Sequence, residues 1–258
     1  MYKPDLPKNA GPVKWVGPDH PFFDLSGLIH CVRLPEEASL QNPAPVVVML
    51  HGWGGDECAM WLFKRVVPAL AAIITPRAPL TLEDNESFAW FGYSGSRHAP
   101  DPDSLQENMA KLKNFSKALL DVYPIDPDRL VLMGFSQGAA IINSLMLTWD
   151  EATEKISGVV SLSSFIPDLA EINAEANRLP GLPVFITHGS RDDIVLPVRG
   201  QASRDRYAEL GADVTYNEYS TGHKVHTDGL KALKTWLRAI ICNDNGGNND
   251  RECEPDPS

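Results

Sequence analysis

The sequence predicts an α/β domain with a mostly parallel central sheet flanked by helices. Three observations carry that expectation. Short apolar runs such as Val46-Val47-Val48-Met49-Leu50 alternate with longer stretches whose apolar residues recur at helical spacing. That is the pattern of strands buried on both faces and joined by helical crossovers. One run, Arg129-Leu130-Val131-Leu132-Met133, passes directly into Gly134-Phe135-Ser136-Gln137-Gly138 and then Ala139-Ala140-Ile141-Ile142, which reads as strand, tight turn and helix. Finally, 258 residues that are 43% hydrophobic suffice for one large domain of this kind.

The elements follow in order. Gly27 to Leu34 reads as an N-terminal strand, paired antiparallel at the sheet edge. Pro45 to His51 is a buried strand, Asp56 to Leu70 a helix, and Ala71 to Thr75 a strand ended by Pro76-Arg77-Ala78-Pro79. Ser104 to Tyr123 carries Leu105, Met109, Leu112, Phe115, Leu119 and Val122 on one helical face, with Ser104 and Glu107 as a capping box. Pro124 to Pro127 breaks that helix and the elbow strand starts at Arg129. Strands Ile156–Leu162, Val184–His188 and Asp213–Tyr219 follow, with helices Val198–Leu210 and Leu230–Ile241 between and after them. Residues 1–25 are expected to be an N-terminal extension, 26–242 the single α/β domain without a large lid, and 243–258 a disordered acidic tail.

Composition narrows the function. The formal net charge of −11 repels phosphate backbones, so nucleic-acid binding is not expected. No apolar run approaches the roughly 18 residues of a membrane span. Met1 to Gly17 lacks the basic and apolar segments of a signal peptide, so a cytoplasmic protein is expected. Cys31 and Cys58 sit near apolar segments and read as buried thiols, while Cys242 and Cys253 flank the polar tail and are left open as a pair. No CxxC, HExxH or HxH spacing occurs, so no metal and no cofactor are expected.

The chemistry is carried by the elbow. A tight strand-to-helix turn needs small residues beside the serine, which Gly134 and Gly138 supply, and it lifts the Ser136 hydroxyl clear of the sheet above a helix N-terminus. A serine hydroxyl is a poor nucleophile and needs a base, a group to orient that base, and an oxyanion site. An acid and a histidine are therefore expected downstream, each just past a strand. The strand Val184 to Thr187 runs into His188-Gly189-Ser190-Arg191-Asp192-Asp193, and the strand ending at Tyr219 runs into Ser220-Thr221-Gly222-His223. Asp192 and Asp193 both qualify as the acid. His223 is preferred to His226, which falls near the start of the last helix. His51 and His188 precede glycine at strand ends and are read as loop anchors. One oxyanion N–H should belong to Gln137 and a second to the glycine-rich turn His51-Gly52-Trp53-Gly54-Gly55.

With these segments in place, the sequence resembles the phospholipase/carboxylesterase branch of the α/β-hydrolase superfamily, which includes bacterial carboxylesterases and acyl-protein thioesterases. The matches are Leu50-His51-Gly52-Trp53-Gly54, Pro76-Arg77-Ala78-Pro79, Trp90-Phe91, Gly134 to Gly138, Leu162-Ser163 with Pro167, His188-Gly189 with Asp192 and Val195, and Gly222-His223. They run in family order over roughly residues 25 to 241. The resemblance implies that Asp192 is the acid and that Trp53 gives the other oxyanion N–H. The residue after the His-Gly pair is usually smaller in the family, so the Trp53 ring is expected to narrow the pocket. Trp90, Phe91, Phe165 and Val195 are assigned to substrate binding beside it, and Trp61 is left open between core and pocket.

The implied protein is a serine carboxylesterase acting on a small-molecule ester of short to medium chain length. An acyl-protein thioesterase or lysophospholipase is the alternative with the same chemistry. A hydrolase-fold binding protein without catalysis would normally lack a member of the triad, and all three are present. The oligomeric state is left open.

Overall fold

The computed structural model describes residues 13–95, 99–148, 155–167 and 179–242. In chain order these form β1 (Lys14–Val16), α1 (Pro21–Ser26), β2 (His30–Arg33), β3 (Ala44–Leu50), a 3-10 helix (Ala59–Val66), β4 (Ala72–Pro76), β5 (Leu80–Thr81) and β6 (Phe88–Ala89). There follow α2 (Pro102–Val122), β7 (Ile125–Phe135), α3 (Gln137–Leu147), β8 (Gly158–Leu162), β9 (Pro183–Gly189), α4 (Pro197–Glu209), β10 (Asp213–Tyr219) and α5 (Thr227–Cys242). The main sheet has the order β1-β2-β4-β3-β7-β8-β9-β10. Its strands are parallel except β2, which pairs antiparallel with both β1 and β4. β5 and β6 form a separate antiparallel pair.

The central strand shows why the sheet is covered on both faces. Every residue of β3 is buried, and successive side chains of a strand point to opposite faces. Val46, Val48 and Leu50 join a core with Leu112 and Phe115 of α2 and Ile142 of α3. Val47 and Met49 join the other core with Trp61 and Phe63 of the 3-10 helix and Leu237 of α5. Trp61 is thus a core residue.

Several boundaries depart from expectation. The strand expected at the edge is second from it, because Lys14–Val16 pairs outside it; three residues are too few to show a period. Residues 14–25, expected as part of an extension, supply that edge strand and all of the helix α1 but its last residue. His20 caps α1 by accepting from Phe22 N at 3.1 Å. The helix α2 starts earlier than Ser104, with Asp101 as its cap: the Asp101 carboxylate accepts from Ser104 N at 2.9 Å and Pro102 opens the first turn. The Ser104 hydroxyl instead accepts from Gly92 N, and Glu107 pairs with Lys111, so no capping box forms.

The helix expected over Asp56 to Leu70 is a shorter 3-10 helix. Its N-terminal end is tied to β4: Thr75 Oγ1 donates to the carbonyl of Glu57, just before the helix, at 2.6 Å and accepts from the Trp61 side-chain Nε1 at 3.0 Å. The Glu57 side chain is turned inward to Arg77, and Pro68 closes the far end. The expected disordered tail lies outside the described residues. No helix among the described residues is long and apolar enough to cross a membrane.

Candidate active site

The site lies past the C-terminal ends of β3, β7, β9 and β10, where open α/β sheets place their clefts. Ser136 sits between β7 and α3 with φ 51° and ψ −117°, a left-handed conformation rare for a residue with a side chain. Close packing imposes the flanking glycines. A Cβ on Gly134 would stand 2.3 Å from Ala139 N, and one on Gly138 would stand 2.3 Å from the Leu50 carbonyl oxygen.

The loops after β9 and β10 bring the other two groups to the serine. His223 Nε2 is 3.0 Å from Ser136 Oγ, and His223 Nδ1 is 2.7 Å from Asp192 Oδ2. With the carboxylate at Nδ1, that nitrogen carries the proton and the Nε2 lone pair faces the hydroxyl. Asp192 is 3% exposed, and its other oxygen accepts from Ile194 N at 3.0 Å and Val195 N at 2.9 Å. Asp193 points to solvent, so the structure separates the two candidates left open by their adjacency. The two loops are joined directly, Arg191 N donating to the Thr221 carbonyl at 2.9 Å. His226 stacks on Tyr219 and accepts from Asp228 N at the start of α5; it does not approach the serine.

The remaining histidines hold loops. His51 Nε2 accepts from Ala78 N at 3.0 Å while Nδ1 donates to the Gly52 carbonyl at 2.8 Å. Burial pushes the His51 pKa down to about 4, which keeps the ring neutral and able to accept. His188 Nε2 donates to the Val195 carbonyl at 2.8 Å and lies 3.5 Å from Asp192 Oδ2, bracing the acid loop from below.

The aromatic residues assigned to substrate binding divide. Trp53 is half exposed and lines a groove of about 440 Å³ together with Met60, Leu62, Phe63, Phe135 and Val225. Trp90 and Phe91 are wholly buried, and Phe165 and Val195 nearly so; none of the four lines this groove. Trp90 and Phe91 are held by the residue after the nucleophile. Gln137 Oε1 accepts from Trp90 N at 2.9 Å and Gln137 Nε2 donates to the Phe91 carbonyl at 2.7 Å. Trp90 Nε1 then donates to the His51 carbonyl at 2.9 Å. A buried chain of hydrogen bonds therefore links Gln137 to the turn that carries Trp53. Phe165 gives its carbonyl to Asn143, and Val195 belongs to the acid loop.

Sequence reasoning did not find the 3-10 helix as a groove wall, nor the ion pair behind it. Glu57 is fully buried and receives Arg77 Nε and Nη2, each at 2.6 Å, and Trp15 Nε1 at 2.6 Å. The signal available was the Pro76-Arg77-Ala78-Pro79 motif, whose arginine has no role in a surface loop. Cys31 is buried and Cys58 is partly exposed, their sulfurs 4.0 Å apart. The hydrogen-bonded Cys58 thiol and burial push the Cys31 pKa up. Cys242 is disulfide-bonded; Cys253, the pairing left open, lies outside the described residues.

A mostly parallel sheet bearing a serine elbow, with an acid and a histidine past the ends of its last two strands, defines a hydrolase of the α/β-hydrolase fold. The sequence model for the family described as Phospholipase/Carboxylesterase matches residues 37–241, and the chain belongs to that family. It is 27% identical over 233 residues to acyl-protein thioesterase 1 of Candida albicans, covering 83% of this chain and 98% of that protein. The Aspergillus fumigatus protein of the same name is 29% identical, with 79% and 90% covered. Among solved structures, the Bacillus cereus carboxylesterase superposes with a TM-score of 0.74 at 22% identity, covering 85% of this chain and 97% of that one.

Proposed function

We propose that this chain is a serine carboxylesterase that works through an acyl-enzyme on Ser136. The observation that carries the reading is the continuous hydrogen-bonded chain from Asp192 through His223 to Ser136 Oγ. As Ser136 Oγ bonds to the ester carbonyl carbon, its proton passes to His223 Nε2. Asp192 holds the imidazole in the required tautomer and stabilises its cation. The carbonyl oxygen becomes an oxyanion, held by the backbone N–H groups of Gln137 and Trp53. Gln137 opens α3, where a helix leaves its first N–H groups without intrahelical partners. Collapse breaks the bond to the alcohol oxygen, which takes the proton from His223. Water then gives a proton to His223 and attacks the acyl carbon, releasing the acid and restoring Ser136. Nucleophile, base and oxyanion donors are all groups of the protein, so the sequence requires no cofactor.

The groove supports an apolar acyl or alcohol group, and its volume of about 440 Å³ lies at the lower end of small-molecule sites. Short- to medium-chain esters are the preferred substrates. The names of the relatives favour a second reading, hydrolysis of acyl thioesters on protein. Profiling kcat/KM over oxoesters and thioesters of graded acyl length tests both. A maximum at a few carbons on oxoesters is expected. A maximum at palmitoyl thioesters would replace the first reading by the second, and absence of turnover on every ester and thioester would remove both.

A further inference from the structure

Ser136 is held in its left-handed turn by the end of the neighbouring strand. Ser136 N donates to the Leu162 carbonyl at 2.8 Å, and β8 ends there. The chain turns at Ser163, which is left-handed with φ 47° and donates its N–H to the Thr187 carbonyl at 2.8 Å. The next residue, Ser164, is buried, and its hydroxyl donates to the Ser136 carbonyl at 2.7 Å. That carbonyl also accepts from Ala140 N of α3 at 3.0 Å. The Ser136 carbonyl and the Gln137 N–H belong to one peptide unit. Such a unit is planar and trans, so its C=O and N–H point in opposite directions. A donor on the carbonyl side and an oxyanion on the N–H side therefore address the same group from its two ends.

We propose that Ser164 is a positioning residue for the reaction: its hydroxyl fixes and polarises the Ser136–Gln137 peptide, so that the Gln137 N–H holds the oxyanion more strongly. The inference deepens the esterase reading and rests on it. Resonance across the C–N bond joins the two ends of a peptide unit, and hydrogen bonds in series strengthen one another where the dielectric is low. Drawing electron density toward Ser136 O leaves the Gln137 N–H a stronger donor. The gain is larger toward a full oxyanion than toward a neutral carbonyl, so it falls on the transition state rather than on substrate binding. The bond also has a geometric part. Ser136, with φ 51° and ψ −117°, keeps a rare conformation that persists only where its surroundings over-determine it. The ψ angle sets the plane of the peptide that follows, and Ser164 acts on that plane directly. The competing account is that the hydroxyl only satisfies buried groups and supports the fold. That account predicts a lower unfolding midpoint with kcat unchanged.

Ser164→Ala removes the donor and little else. On the butanoyl ester of para-nitrophenol, kcat should fall about three- to tenfold with KM little changed, the span of one neutral hydrogen bond. That is less than the loss of a direct oxyanion donor. The second readout is spectroscopic. Ser136 is the only serine followed by glutamine. Protein isotopically labelled at its serine carbonyl carbons and its glutamine backbone nitrogens therefore gives a single carbonyl-to-amide correlation by nuclear magnetic resonance, that of this peptide. In Ser164→Ala the Ser136 carbonyl carbon and the Gln137 nitrogen should both move upfield as the polarisation is lost. An unchanged kcat, a loss carried by KM, or an unmoved Gln137 nitrogen would overturn the inference. If wild type turns over neither this ester nor the matching thioester, the esterase reading fails separately. The labelled correlation then decides the inference alone: an upfield Gln137 nitrogen in the variant supports it, and an unmoved one overturns it.

Discussion

Ser136, Asp192 and His223 stand directly after β7, three residues after β9 and four after β10, whereas the groove beside them is assembled from separate layers. Its walls are the turn after β3, the 3-10 helix and the segment from Lys224 to Leu230. The first region is fixed by short-range constraints. Glycines on either side of Ser136 allow close backbone contact, and the Asp192 carboxylate folds its own loop by accepting from Ile194 and Val195 N–H. The second depends on partners far apart in sequence, such as Glu57 with Arg77 and Trp90 with His51. The comparison teaches that chemistry is encoded locally here and substrate shape is encoded by packing. The two regions should therefore respond to mutation in different observables.

The largest effects fall on the first region. Ser136→Ala should fold and bind normally yet lose about 10⁶ in kcat, as loss of the nucleophile does in such triads. A serine-directed organophosphate should label wild type at Ser136 alone, and mass spectrometry locates the adduct. Substantial turnover in the Ala variant would dismantle the division, since chemistry would then reside elsewhere. Next comes the acid. Asp192→Asn should cost about 10⁴ in kcat by favouring the wrong histidine tautomer. Asp193→Asn, a solvent-facing neighbour, should cost less than about tenfold. Steady-state kinetics on the two variants decides; the reverse ranking would move the acid by one residue.

The scaffold of the second region should answer in stability first. Glu57→Ala leaves the Arg77 guanidinium buried without its carboxylate and removes the acceptor of Trp15 Nε1. Breaking a buried pair from one side costs about 3–5 kcal/mol, and denaturant unfolding reads it. A midpoint equal to that of wild type would show that the pair is not what holds the 3-10 helix against β4.

This contrast also explains what the sequence made legible. The parallel sheet and the serine elbow could be read because apolar runs and glycines are local signals, and the acid and base followed from strand ends. β1 and α1 could not, since three residues and six residues carry too little periodicity. The sequence assigns Trp90 and Phe91 to substrate binding beside Trp53. Their burial is decided by Gln137, 46 and 47 positions away along the chain, and no local pattern encodes that. Trp53 kept its place at the groove because the turn that carries it is itself the motif.

Trp90→Phe sharpens the boundary between the regions. It removes the indole N–H, together with part of the buried ring, and leaves the His51 carbonyl, at the root of the Trp53 turn, without that donor. An unsatisfied buried acceptor costs about 1–3 kcal/mol. If the link from Gln137 to the turn sets the spacing of the two oxyanion donors, kcat should fall about tenfold or more with KM little changed, the signature of an interaction made in the transition state. A rise in KM at constant kcat would instead make Trp90 part of the substrate wall.

The smallest effect should come from Trp53→Ala, and it belongs to the substrate side alone. The ring is half exposed, rests 5.2 Å from Tyr93 centroid to centroid, and borders the groove. Each methylene that an acyl chain buries gains about 0.8 kcal/mol until the apolar wall ends. In wild type kcat/KM should therefore rise with chain length and then level off. Removing the indole opens space along the groove, so the plateau should move to longer chains, while very short esters, which do not reach the ring, should react at nearly the wild-type rate. The backbone N–H of Trp53 survives the substitution, and the neighbouring Gly54 N–H remains bonded to the Phe88 carbonyl at 3.0 Å, which holds the turn in place. A uniform loss of kcat across all chain lengths would mean that the ring supports the oxyanion turn itself, and the separation between chemical and substrate regions would fail at this residue.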